Sequence, residues 1–205
     1  MFNRVTLLTL VSMLILCLAG CGGGGETAQQ ADQPAAAAPP PPPKPAEQVP
    51  VYELTKDDIT SHEGWTSRNI SVLGVKLGDR TRDVQKSLGD VENTRTLSED
   101  YLTVHQGQGL FVYTFKLTGK ARRFEINETF AKKVADAKLK KLLDTGDIKY
   151  MRQVLGQEEA GPIENAEDNA TEYSYDSRGI RFVRYKVGAK TVNALRLTEI
   201  KKTTT

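Results

Sequence analysis

The sequence predicts an α+β fold of two similar copies of a short helix and an antiparallel β-hairpin sheet, following a disordered N-terminal tether. Three observations carry this expectation. "LGDRTRDVQKSLGDVE" and "DTGDIKYMRQVLGQEE" share a glycine-aspartate start, a short helical pattern and a Leu-Gly stop. "TVHQGQGLFVYTFKLTGKARRFEI" and "YSYDSRGIRFVRYKVGAKTVNALRL" share alternating strands around a glycine, Gly109 in one and Gly179 in the other. Gly22 to Pro50 is mostly Gly, Ala, Gln and Pro. Internal similarity of this kind marks one supersecondary unit used twice. It divides the chain into a leader at 1–20, a linker at 21–50, a first unit with an N-terminal extension at 51–129, and a linking helix with the second unit at 130–205.

The leader comes first. Met1-Phe2-Asn3-Arg4 is a short, singly positive start, and Val5 to Leu18 is almost wholly apolar. That is the pattern of a secretory signal, too short for a well-anchored transmembrane helix. It runs into Leu18-Ala19-Gly20-Cys21, which resembles the bacterial lipobox. The resemblance implies that Cys21 is diacylated, freed by cleavage as the mature N-terminus and then N-acylated; an ordinary signal peptide that contains a cysteine is the alternative. Several acyl chains anchor firmly where one is marginal, at about 0.8 kcal/mol per buried methylene. Gly22, rather than Asp, after that cysteine resembles outer-membrane sorting. The expected location is the bacterial cell envelope, lipid-anchored at the outer membrane and facing the periplasm.

The linker has almost nothing to bury, so it should not fold. Its unbroken Pro39 to Pro43 is a polyproline II spacer, semi-rigid rather than floppy. Fully extended, the tether reaches on the order of 90 Å at about 3.3 Å per residue. An SH3-type ligand is the alternative for the proline run, and a stalk is the reading that suits a lipid anchor.

Composition closes several functional classes. Of the two cysteines, Cys17 leaves with the leader and Cys21 is the lipid site, so no disulfide, thiol nucleophile or cysteine metal site is expected. His62 and His105 lack a helical or metal-type spacing, so neither a metal nor a cofactor is expected. No Gly-x-Ser-x-Gly elbow, Gly-x-Gly-x-x-Gly turn or Walker loop occurs. Loss of Arg4 with the leader leaves 27 bases against 26 acids, a balance that argues against a nucleic-acid binder. The expectation is a non-enzyme. Its rival is a hydrolase using Asp176, Ser177 or His105.

In the first copy Val84 and Leu88 lie on one helical face, with Asp79 as N-cap and Gly89 as the stop. An amphipathic helix from about Ala131 to Leu143 links the copies, its lysines read as a solvated face or as a contact for anionic head groups. In the second copy Ile148, Met151 and Leu155 share a face, Asp147 or Thr145 caps, and Gly156 ends the helix. Trp65, the single tryptophan, plugs a core edge or stacks a ligand.

"YDSRG" has the residue types of a catalytic loop, yet Gln106-Gly107-Gln108-Gly109 stands in its place in the first copy. What the two share is turn geometry: Asp176 opens a type I turn whose glycine takes the left-handed position, a three-residue hairpin loop. With Asp176 opposite Ile180, strict alternation puts Tyr173, Tyr175, Arg181 and Tyr185 on one side of the sheet. In the first copy His105, Phe111, Tyr113 and Phe115 share that side, and Leu102, Val104, Leu110 and Val112 the other. The aliphatic side seats the helices. The aromatic side packs the copies together, suits half-exposed strands by propensity alone, or is a recognition surface, where Tyr and Arg are enriched.

"GVKLGDRTRDVQKSLGDVE" resembles the helix-Leu-Gly element of the SmpA/OmlA (BamE) lipoproteins, and "YDSRGIRFVRYKVGAKTVNAL" the strand-turn-strand that follows it. The tandem arrangement resembles β-lactamase inhibitory protein, over about Ile70 to Ile200. The resemblance implies a tethered protein-binding module with an envelope protein partner, an accessory in outer-membrane assembly or maintenance. The alternative it implies is a stalk-held inhibitor of a secreted or periplasmic hydrolase. The surface expected to bind is Phe111, Tyr113 and Phe115 with Tyr173, Tyr175, Arg181 and Tyr185.

Overall fold

Alternation of apolar and polar side chains in the central strands produces an antiparallel sheet, and polar caps set the later helices. A computed structural model describes residues 49–200, apart from 90 and 92, all within one unit, Ala46–Thr205. The leader, Cys21 and the linker lie outside the described residues.

Three short strands open the domain: β1 (Tyr52–Glu53), β2 (Ile70–Val72) and β3 (Val75–Lys76), in the order β1-β2-β3. β1 runs parallel to β2, which brings Glu53 to the β2–β3 turn. Its carboxylate accepts from Ser71 Oγ at 2.6 Å and from the backbone N–H groups of Leu73 at 2.8 Å and Gly74 at 2.9 Å. Burial works to raise its pKa, and these donors outweigh burial and hold it below the usual range.

Next come α1 (Thr81–Leu88) and the strands β4 (Asn93–Thr96), β5 (Asp100–His105), β6 (Leu110–Phe115) and β7 (Lys120–Asn127). They are followed by α2 (Glu128–Ala131), α3 (Ala137–Thr145) and α4 (Ile148–Leu155), then β8 (Ala160–Asn165), β9 (Ala170–Tyr175), β10 (Ile180–Val187) and β11 (Lys190–Thr198). Asp136 caps α3 through the N–H groups of Lys138 and Leu139, and its other oxygen accepts from Thr60 N at 2.8 Å. Asp147 caps α4 through Lys149 and Tyr150. The expected linking helix is thus two, because Asp136 starts a new helix instead of continuing the old one.

The sequence expectation of two helix-and-hairpin units is not the fold. The protein is mostly β: β4 to β11 form one eight-stranded antiparallel sheet, ordered β4-β5-β6-β7-β11-β10-β9-β8, beside the three-stranded sheet and a few short helices. The join is β7 against β11, from Asn127 opposite Ala194 to Arg123 opposite Thr198. Left apart, each of these strands would present a row of unpaired N–H and C=O groups, and pairing them removes two edges at once. Short-range periodicity carries no record of that pairing.

One side of the sheet carries the helices. Val84 of α1, Leu139, Leu142 and Leu143 of α3, and Met151 and Leu155 of α4 meet Val112, Phe124, Ile126, Phe182, Leu195 and Leu197 in a single core. Each fully buried side chain of this size contributes about 1.5–3 kcal/mol. The other side carries no helix among the described residues.

Candidate functional site

The face opposite the helices is built by register. Ile180 pairs with Tyr175 and Leu110 with His105, so each hairpin has a four-residue connection, 176–179 and 106–109. A short 3₁₀ turn, Asp176–Arg178, precedes Gly179, whose φ is 68° and whose N–H returns to the Asp176 carbonyl at 3.1 Å. The sequence reading placed Asp176 opposite Ile180, one residue out, and a one-residue slip moves every side chain of a strand to the other face.

Tyr173 and Tyr175 therefore turn toward the helices, 7% and 2% exposed. Tyr175 Oη donates to Gly156 O at 2.9 Å. Burial first, and the Glu158 charge second, push its phenol up to about 12 against Arg178 and Arg152. His105 also turns to the helix side and is buried. Phe111, Tyr113, Phe115, Arg181 and Tyr185 lie on the helix-free face, joined there by Leu102 and Val104.

The floor of this face is an ion-pair network drawn from four strands. Arg196 of β11 donates from Nε to Glu125 of β7 at 2.9 Å and from Nη1 to Glu172 of β9 at 2.8 Å. Its Nη2 donates to Tyr185 Oη at 2.8 Å, and that hydroxyl donates to Glu125 at 2.8 Å. Arg181 of β10 completes the chain, to Glu172 at 3.0 Å and Asp176 at 3.1 Å. Glu125, Glu172 and Arg196 are each at most 6% exposed. Burial would neutralise Arg196, yet the Glu125 charge and its other partners raise its pKa further. The Tyr185 hydroxyl is raised too, by burial and then by Glu125.

Sequence reasoning missed Glu125, Glu172 and Arg196. A signal existed: Phe124-Glu125-Ile126 and Leu195-Arg196-Leu197 each set a charge between two core residues, and these charges face one another across β7 and β11. A charge at such a position needs a partner.

Two neighbouring arginines behave differently. Arg122 lies over the Phe115 ring at 4.5 Å and is paired with Asp100 at 2.7 Å and Glu99 at 2.9 Å. Arg123 lies over the Tyr113 ring at 3.3 Å, and no carboxylate among the described residues is within ion-pair range. Its Nε is buried without an acceptor. Two hollows open on this face. One of about 570 Å³ is walled by Leu102, Phe111, Tyr113, Tyr185 and Val192, with Arg123 at its side. Another of about 710 Å³ lies among Arg123, Arg181, Arg196, Ser177 and Glu199. Apolar walls with a few fixed polar groups are the make-up of a binding site.

The residues of the rival hydrolase reading are dispersed. Ser177 bonds Glu159 through its hydroxyl and, at 3.0 Å, its backbone N–H; Asp176 bonds Arg181. His105 ends β5, with β6, β7 and β11 between it and the β10 hairpin. Trp65 is buried in the shared core, its ring covered by Arg178 at 4.2 Å. Arg178 also donates to Trp65 O at 3.2 Å and Leu155 O at 2.9 Å, so the loop ties the N-terminal segment to the end of α4.

No family model and no curated protein matches the chain. Among solved structures it is similar to a cysteine-rich secretory protein from Staphylococcus aureus subsp. aureus Mu50, at 10% identity and a TM-score of 0.36, over 73% of this chain and 50% of that one. The chain thus spans about half the length of that protein, and a likeness this slight assigns neither fold nor activity. The resemblance to the SmpA/OmlA (BamE) lipoproteins and to β-lactamase inhibitory protein is overturned, since neither family is matched. A Leu-Gly stop and a hairpin glycine are general punctuation of helices and turns, which is why they misled.

Proposed function

We propose that the protein is a lipid-tethered module of the bacterial envelope that binds another protein on the helix-free face of its sheet. One observation carries the reading: Phe111, Tyr113 and Tyr185, all half-buried, line a hollow of mixed apolar and charged walls on a face that carries no helix among the described residues. Half-buried Tyr and Arg over a fixed floor are the material of interface hot spots. The buried Arg196 network holds that floor in one geometry, which lowers the ordering cost of association. The leader and its Cys21 support the tether, and the proline-rich linker supplies its reach.

In-cell photocrosslinking from position 113 tests this, with exposed Lys140 of α3 as the control position. The expected result is one envelope protein captured from 113 and not from 140. Crosslinks to a secreted or periplasmic hydrolase would make the module a tethered inhibitor. Intrachain products alone, in cells where the protein is needed, would mean that this face is not the binding surface. Replacing Cys21 with Ala should abolish leader cleavage and lipid attachment. A variant that still matures and stays with membranes would rule the anchor out.

A further inference from the structure

We propose that Arg123 is the receptor for a carboxylate of the bound partner, so that the partner presents an acidic residue beside an apolar one. The inference rests on the helix-free face being the binding surface. It begins from the buried and half-buried arginines of that face. Arg196 is satisfied by Glu125, Glu172 and Tyr185, Arg181 by Glu172 and Asp176, and Arg122 by Asp100 and Glu99. Among the described residues no carboxylate is in ion-pair range of Arg123, and its buried Nε has no acceptor there. A buried donor without an acceptor costs stability, and the half-buried guanidinium borders both hollows, where a bound acceptor reaches it.

Position and geometry specify what the acceptor is. The Arg123 guanidinium carbon lies 3.3 Å from the Tyr113 ring centroid, so the ring covers one side of the group and a partner meets its N–H edge. That edge suits the two oxygens of a carboxylate. Arg123 also borders both hollows, so a carboxylate bound there sets its neighbouring side chain against Leu102, Phe111 and Val192. The same surroundings disfavour a phosphate. Glu125, Glu159, Asp168, Asp176 and Glu199 line the two hollows against Arg95, Arg123, Arg181 and Arg196, and this surplus of carboxylates repels a group of charge about −1.5 to −2 more than a monoanion.

The test uses the full chain in detergent and two synthetic tripeptides, acetyl-Phe-Glu-Leu-amide and its Gln counterpart, followed by NMR of the arginine Nε–H and backbone amide resonances. The Glu peptide should shift Arg123 Nε–H together with residues 111–113, and bind about tenfold more tightly than the Gln peptide. Arg123→Met should bring both peptides to the same weak affinity, and Arg123→Lys should keep part of the preference; thermal melting confirms that each variant is folded. Equal affinity of the two peptides, or no shift at Arg123 up to the solubility limit, overturns the assignment. So does acetate shifting Arg123 as strongly as the peptide, which would mark a small-anion site, or inorganic phosphate binding more tightly than the Glu peptide. Crosslinking from position 113 does not depend on Arg123. A retained crosslink with failed peptides removes only the carboxylate, and a lost crosslink removes the binding face itself.

Discussion

Arg196 holds two nearly buried carboxylates, and its removal should be severe. Arg196→Met leaves Glu125 and Glu172 without their shared cation, at a cost of about 3–5 kcal/mol in urea unfolding near pH 7. The pH dependence has a definite sign. Burial works to raise the Glu172 pKa, but the Arg196 charge and the bonds from Arg181 and Arg196 bring it below the ordinary 4.5. Glu53 and Asp136 are lowered likewise, through donors that outweigh burial. A depressed carboxyl contributes stability that is present above its unfolded pKa and is lost as pH falls through its folded value. The wild-type urea midpoint should therefore hold from about pH 7 to 5 and drop below about pH 4.5. In Arg196→Met the deficit should shrink over that acid range, as Glu172 becomes neutral. A deficit that stays constant would show that Arg196 acts through packing rather than charge.

Turns set the elements, and two glycines separate the causes. Gly179 and Gly188 have nearly the same left-handed backbone, with φ of 68° and 60°. A Cβ on Gly179 would collide with Ser67 Oγ and the Thr198 carbonyl, whereas one on Gly188 meets nothing within 4 Å. Gly188→Ala should cost about 1 kcal/mol, the strain alone, and Gly179→Ala about 3 kcal/mol or more, strain plus overpacking. Thermal melting of the two variants checks this, and equal losses would mean that the contact with Ser67 and Thr198 yields. At this scale much was legible. Asp147 and Gly156 bound α4, Gly89 ends α1, and Gly109 and Gly179 take positive φ, because caps and turns depend on a few adjacent residues. The loop length was not legible to within one residue. That single residue decided where Tyr173 and Tyr175 point.

For the whole molecule, the junction of β7 and β11 is the decisive contact. The core runs through it: Phe124 and Ile126 lie opposite Leu197 and Leu195. Residues 51–129 and 130–205, expressed separately, should each lack a dispersed amide NMR spectrum, since each loses a central strand pairing and part of a shared core. A folded 51–129 fragment would show that the sequence copies are independent after all. The junction also builds the candidate site, because Glu125 and Arg123 come from one side of it and Arg196 from the other.

The sequence by itself determined what rests on neighbours in the chain: the apolar stretch before Cys21, the proline-rich segment after it, the helix ends and the alternation of the strands. Tertiary structure decided the eight-stranded sheet, the faces of Tyr173 and Tyr175, the Glu125–Arg196–Glu172 network and the setting of Arg123, which meets the Tyr113 ring and no carboxylate among the described residues. The physical reason is distance along the chain. Arg196 and Glu125 are 71 residues apart, and which groups meet across such a gap is set by strand pairing and register, to which no local pattern of side chains answers.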